Sequence, residues 1–277
     1  MKRSIVILAT LTTLTLSGAP ALAGNGPGQG YGGGALAGTA CGQVFADYLA
    51  SLPLEQPDET ETASLIHMRQ EEKLARDVYL ALQMKWGAQI FANIARAEQK
   101  HMDMVGVILE RYGIEDPVTD DTIGIFADDV FVELYGQLVE AGSSSLEDAL
   151  QVGATIEDLD IWDLEEALLN EVDNEDIKAV YQNLWKGSRN HMRAFASQLA
   201  LAGIEYSAQY ISAEELESIL ASDPERGVIL DADGEVLATC GRAGGPRGRF
   251  GGNRGVLSPA GRTSGATGRV APATGSN

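Results

Sequence analysis

Between Thr60 and Gly203 apolar residues recur every three or four positions, the period of helices that bury one face. The pattern predicts a first long helix over about Thr62 to Trp86, carrying Leu65, Met68, Leu74 with Ala75, Val78 and Leu82, and stopped by Gly87. A second is predicted over about Gln89 to Tyr112, with Ile90, Ile94, Ala97, Met104 with Val105, Ile108 and Leu109 facing inward and Gly113 at its end. The short link at Gly87 implies an antiparallel hairpin. Pro117, several Asp and Gly124 then mark a long connection. It leads into a shorter helix from Asp129 to Glu140, ended by Gly142. Ser145 can cap a short helix up to Val152, and Thr155 can cap a third long helix running to about Val172. Asn174 can cap a fourth, which runs to about Ala202 and stops at Gly203. The expectation is an all-α architecture: a four-helix bundle with two hairpins and a long crossover between helices 2 and 3. A small helix from Ser212 to Leu220 follows. So does a hairpin in which Val228-Ile229-Leu230 and Val236-Leu237 flank Asp233-Gly234.

The ends of the chain read differently. Lys2 and Arg3 precede a mostly apolar run from Ser4 to Leu16, and Ala21-Leu22-Ala23 offers the small residues a signal peptidase cuts after. Residues 1–23 are therefore expected to be a secretory signal, placing the mature protein in the periplasm or outside the cell. That apolar run is too short for a membrane span, and nothing later approaches the ~20 apolar residues one needs. Residues 24–59 read as a Gly-rich leader and an N-terminal segment interrupted by Pro53 and Pro57. Residues 60–205 form the helical bundle, 206–240 the small helix and hairpin, and 241–277 a disordered Gly/Arg-rich tail. Cys41 and Cys240 bracket the region expected to fold. In an oxidising compartment they can pair, and free or metal-binding thiols are the alternative.

Charge narrows the function. The chain has 20 basic and 40 acidic residues; Lys2, Arg3 and six Arg beyond Cys240 lie in the expected signal and tail, whereas every acidic residue lies between residues 24 and 240. Such a surface repels nucleic-acid phosphates and attracts cations, although solubility alone accounts for most of the charges.

The candidate chemistry lies on the inner stripes. Glu98 and His101 are three apart, hence on one helical face, between Ile94 and Val105. Glu72 shares its face with Leu65, Met68, Ala75 and Tyr79, while Glu71, about 100° around the helix, is read as the solvated neighbour. Glu157 and Asp160 are again three apart, with Asp163 continuing the row, and His191 lies with Leu184, Ser188 and Phe195. His67 falls off the face of Glu72 and is read as peripheral. A single polar residue on such a stripe is most simply a hydrogen-bonded core group. Carboxylates from three helices and histidines from two are a costly set to bury unless paired or metal-bound. Glu72, Glu98, His101, Glu157, Asp160 and His191 are therefore the candidate ligands, for iron in a mononuclear or di-iron site, with manganese or zinc as alternatives.

Three motifs sharpen this. Glu72 to Tyr79 (EKLARDVY) resembles the first-helix motif of rubrerythrin-type proteins, Glu98 to His101 (EQKH) their second-helix Glu-x-x-His, and Glu157 to Asp160 (EDLD) their third-helix carboxylates. Residues from about Leu65 to Leu201 resemble domain of unknown function 2202, a ferritin-like family of uncharacterised bacterial and archaeal proteins. The marks are Ser145 to Ala154 (SLEDALQVGA) and Tyr181 to His191 (YQNLWKGSRNH). The resemblance implies a ferritin-like bundle and a metal site. It departs at Ser188, where a fourth-helix carboxylate is usual. Three functions are open: a di-iron oxidoreductase acting on oxygen or peroxide, with Tyr79 and Tyr181 as hydrogen-bonding or electron-carrying groups; a non-catalytic periplasmic metal-buffering protein; and a metal-free structural module. Sequence leaves the oligomeric state open.

Overall fold

A computed structural model describes residues 40–240. The expected signal, the Gly-rich leader up to residue 39 and the tail from residue 241 lie outside the described residues. Among the described residues, seven helices and one small hairpin give an all-α fold: α1 (Ala40–Ser51), α2 (Glu59–Trp86), α3 (Gln89–Tyr112), α4 (Asp129–Ala141), α5 (Leu146–Asn170), α6 (Glu175–Leu201), α7 (Ala213–Ala221), β1 (Val228–Leu230) and β2 (Val236–Thr239). The long helices pack α2 on α3, α5 on α6, α2 on α5 and α3 on α6, with α4 across α2 and α5.

Local chemistry explains the boundaries. Asp58 accepts from the amides of Thr60 and Glu61, so α2 starts three residues before Thr62. Glu61 returns the favour to the Asp58 amide at 3.0 Å, completing a capping box. Its other oxygen accepts from the amides of Asp173 and Asn174, which ties the start of α2 to the α5–α6 turn. Asn174 occupies the cap position of α6, but its side chain reaches instead to the Glu55 carbonyl.

The structure corrects the expected break before the third long helix. Ser145 caps one continuous α5, accepting from the Asp148 amide at 3.0 Å, and the helix runs through Gly153 and Thr155. Gly153 is a packing residue: a Cβ there would lie 2.4 Å from the Phe195 ring of α6. The Thr155 hydroxyl accepts from Gln209 rather than capping a helix. The inner face of α3 also differs from the expected stripe, because Phe91, Ala95 and Met102 are fully buried, whereas Ile90, Ala97 and Met104 are half-buried.

The long crossover between α3 and α4 is fastened by a buried ionic knot on α2. Asp77 accepts from Lys73, Arg76 and the Gly124 amide, while Lys73 also donates to the Thr122 carbonyl and Arg76 pairs with Asp121 at 2.7 Å. Removing one partner of such a buried set strands the others.

The C-terminal hairpin is antiparallel, pairing Val228 with Thr239 and Ile229 with Ala238. It docks on α6 through Asn183, whose amide group bonds both the N–H and the C=O of Leu230, at 3.0 and 2.8 Å. On the other side it meets α1, a helix that the sequence pattern of this proline-interrupted segment does not reveal. Tyr48 of α1 accepts from the Ala232 amide, and Cys41 forms a disulfide with Cys240, their Cα atoms 5.9 Å apart.

Candidate metal centre

Four helices each contribute to one buried cluster. Glu72 comes from α2, Glu98 and His101 from α3, Glu157 from α5 and His191 from α6. The three glutamates are fully buried. Glu98 is central. Its Oε2 lies 2.8 Å from His101 Nδ1 and its Oε1 2.9 Å from His191 Nδ1. His101 Nδ1 also lies 3.2 Å from Glu72, and His191 Nδ1 lies 3.3 Å from Glu157. The two imidazoles stack, with centroids 5.5 Å apart. The result is two three-residue groups, Glu72–Glu98–His101 and Glu98–Glu157–His191, that share one carboxylate. Donors bonded to one ion at about 2.0–2.2 Å stand roughly 3–4 Å apart; in each group here the three ligand atoms lie within 4.8 Å of one another.

Surrounding residues shape these groups. Tyr79, fully buried on α2, donates its hydroxyl to Glu157 Oε1 at 2.6 Å. Gly187 of α6 makes room for the His101 ring. The role of Gly187 is not visible in the sequence, because the contact joins helices far apart along the chain. Ser188, in place of a carboxylate, donates back to the Leu184 carbonyl of its own helix. Tyr181 is also buried, but its hydroxyl pairs with Ser64.

The electrostatics are those of a site short of positive charge. Burial raises Glu72 to about 7, against the pull of His101, and raises Glu157 to about 7, against the pull of His191. Burial also opposes charge on Glu98, but the two imidazoles outweigh it and hold that carboxyl below its ordinary range. Desolvation lowers His101, yet Glu72 and Glu98 more than reverse this and lift it to about 9. His191 is raised well above its ordinary value by Glu98 and Glu157, again against desolvation. Asp160, one turn beyond Glu157, is pushed well up by burial and then by Glu71, Glu72, Glu157 and Glu98. Neither of its oxygens has a hydrogen-bond donor. The structure thus brings five of the six sequence-derived candidates within contact of one another, and places Asp160 beside them rather than in either three-residue group.

One sequence expectation changes here: Glu71 is not solvated but 3% exposed. His67 lies apart from the central cluster, its Nε2 3.5 Å from Glu71 and 4.0 Å from Asp163.

Fold and site together define an all-α protein whose buried core holds carboxylate and imidazole groups placed as metal ligands could be. The chain belongs to the family described as "Uncharacterized protein domain (DUF2202)", which matches residues 61–223. It is similar to the uncharacterized protein MJ0754 of Methanocaldococcus jannaschii, with 59% identity over 182 residues, covering 66% of this chain and 98% of that protein. It is also similar to the crystal structure of hypothetical protein MJ0754 from Methanococcus jannaschii DSM 2661. There the TM-score is 0.62, and the match covers 63% of this chain and 99% of that one. Among the described residues no helix is long and apolar enough to cross a membrane.

Proposed function

We propose that this is an exported, ferritin-like metal-binding protein. Glu72, Glu98, His101, Glu157 and His191 hold two divalent cations, with Glu98 shared between them. The observation that carries the reading is Glu98 itself, a fully buried carboxylate with one oxygen on each of two imidazoles. Charge supports it. Glu71, Glu72, Glu98, Glu157, Asp160 and Asp163 are all buried, beside the buried His101 and the half-buried His67 and His191. The buried cations Lys73, Arg76 and Arg189 are engaged by Asp77, Asp121 and Glu225. Bound cations would neutralise the excess and displace the protons that the apo cluster retains. The mixed oxygen and nitrogen donors suit iron, and manganese or zinc as alternatives. Export is supported by the disulfide, which persists in oxidising compartments.

Iron held here would supply redox chemistry toward oxygen or peroxide, and the Tyr79 hydroxyl on Glu157 is the observation favouring that second reading. Ser188, which offers no carboxylate, favours binding without turnover. Metal analysis of protein purified from its native compartment, with Glu98→Gln alongside, tests the main reading. Bound metal is expected in the unmodified chain and lost in the variant, and chelation should lower the melting temperature, since a ligand at 100 times its Kd stabilises by about 2.7 kcal/mol. A chelator-insensitive protein that takes up no cation would refute it. Peroxide consumption by the iron-loaded protein separates redox activity from storage.

A further inference from the structure

We infer that His67, Glu71 and Asp163 form a second divalent-cation site, beside Asp160 and distinct from the central cluster. His67 and Glu71 are one turn apart on α2 and Asp163 faces them from α5; one ligand atom from each lies within 4.8 Å of the others. The distances from His67 Nε2, 3.5 Å to Glu71 and 4.0 Å to Asp163, are those of donors around one ion bonded at about 2.0–2.2 Å. The ring of His67 is held against Phe131 of α4, centroids 5.5 Å apart, which fixes the direction in which Nε2 points. One imidazole and two carboxylates make a donor set for manganese, iron or zinc.

Asp160 is the independent observation. It is 1% exposed, and neither oxygen has a hydrogen-bond donor. A carboxylate so placed is costly unless a cation or proton reaches it. It stands one helical turn from Glu157 on one side and one turn from Asp163 on the other. The carboxylates acting on it include Glu71 of the outer group and Glu72 of the inner. The His67 side chain is 15% exposed and those of Glu71 and Asp163 are 4% and 6%, much as in the central cluster, where the glutamates are 0% and His101 and His191 are 10% and 11% exposed. Each group thus sets a partly exposed imidazole beside enclosed carboxylates, and the outer site does not depend on the central centre proposed above.

Equilibrium titration of the full-length protein with manganese(II) tests the site. Asp163→Asn is expected to bind one ion fewer per chain than the unmodified protein, while Glu98→Gln loses the inner ions and keeps the outer one. An unchanged stoichiometry in Asp163→Asn, or loss of the same ions in both variants, overturns the outer site. Failure of Glu98→Gln to lose any ion speaks against the central reading alone. Manganese-edge anomalous diffraction from crystals of the unmodified protein does not depend on how the variants fold. A peak in bonding reach of His67, Glu71 and Asp163 is expected, and its absence refutes the site.

Discussion

The Cβ that Gly187 lacks would stand 2.4 Å from Cε1 and Nε2 of His101, so the bare backbone of α6 forms the wall against which this imidazole lies. Its Nδ1 is thereby turned toward Glu72 and Glu98. Gly187→Ala gains about 1 kcal/mol of helix propensity but must displace the ring, at a cost of about 1–3 kcal/mol. The expected outcome is a modest loss of stability with manganese affinity lowered at least about tenfold, the scale seen when a ligand's support is disturbed. Competition titration checks it, and an affinity equal to the unmodified protein's would show that the ring does not need this wall.

Tyr79→Phe keeps the packed ring but takes the donor from Glu157 Oε1, an oxygen with no access to water. The expected loss is about 1–3 kcal/mol in the metal-free protein, read by urea denaturation. In the metal-loaded protein the loss should be smaller, because a cation on Glu157 offsets the missing hydroxyl. Equal losses in the two states would argue that Glu157 does not meet the ion.

The disulfide closes a loop of 199 residues, joining α1 to the end of β2. Cys41→Ser is expected to cost about 2–4 kcal/mol and to lower the melting temperature by roughly 5–15 °C. Manganese stoichiometry should be unchanged, since neither cysteine lies on the four helices that carry the inner cluster. A metal-binding defect in this variant would mean that the clasp acts on the site as well.

Acid should weaken the joint between α6 and the segment before β1. Burial opposes charge on Glu225, but Arg189 and Arg193 outweigh it and hold its carboxyl below the ordinary value. A depressed folded-state pKa contributes stability above the unfolded pKa and loses it as pH falls through the folded one. Glu225→Gln should flatten that part of the acid profile. At neutral pH it should cost about 3 kcal/mol, because the guanidinium of Arg189, 1% exposed and bonded twice to Glu225, is left unpaired. Melting temperature against pH for the two proteins is the measurement, and parallel curves would contradict the assignment.

What the sequence determined by itself is local. Helical period and stop signals located α2, α3, α6 and α7, because an amphipathic stripe and a glycine stop are properties of consecutive residues. The i, i+3 spacing of Glu98 and His101, and the rarity of charge on an apolar stripe, singled out the inner cluster for the same reason. Tertiary structure decided everything that depends on a partner from elsewhere in the chain. Gly153 resembles a helix break until Phe195 of α6 is laid over it. Glu71 belongs on the solvent side of α2 until α5 brings Asp163 across and both are buried with His67. A stripe says which face of a helix is covered, not by what, and residues that meet from 96 positions apart, as His67 and Asp163 do, leave no local trace of the meeting. The meeting of His67, Glu71 and Asp163 therefore had to be read from the packing of α2 against α5.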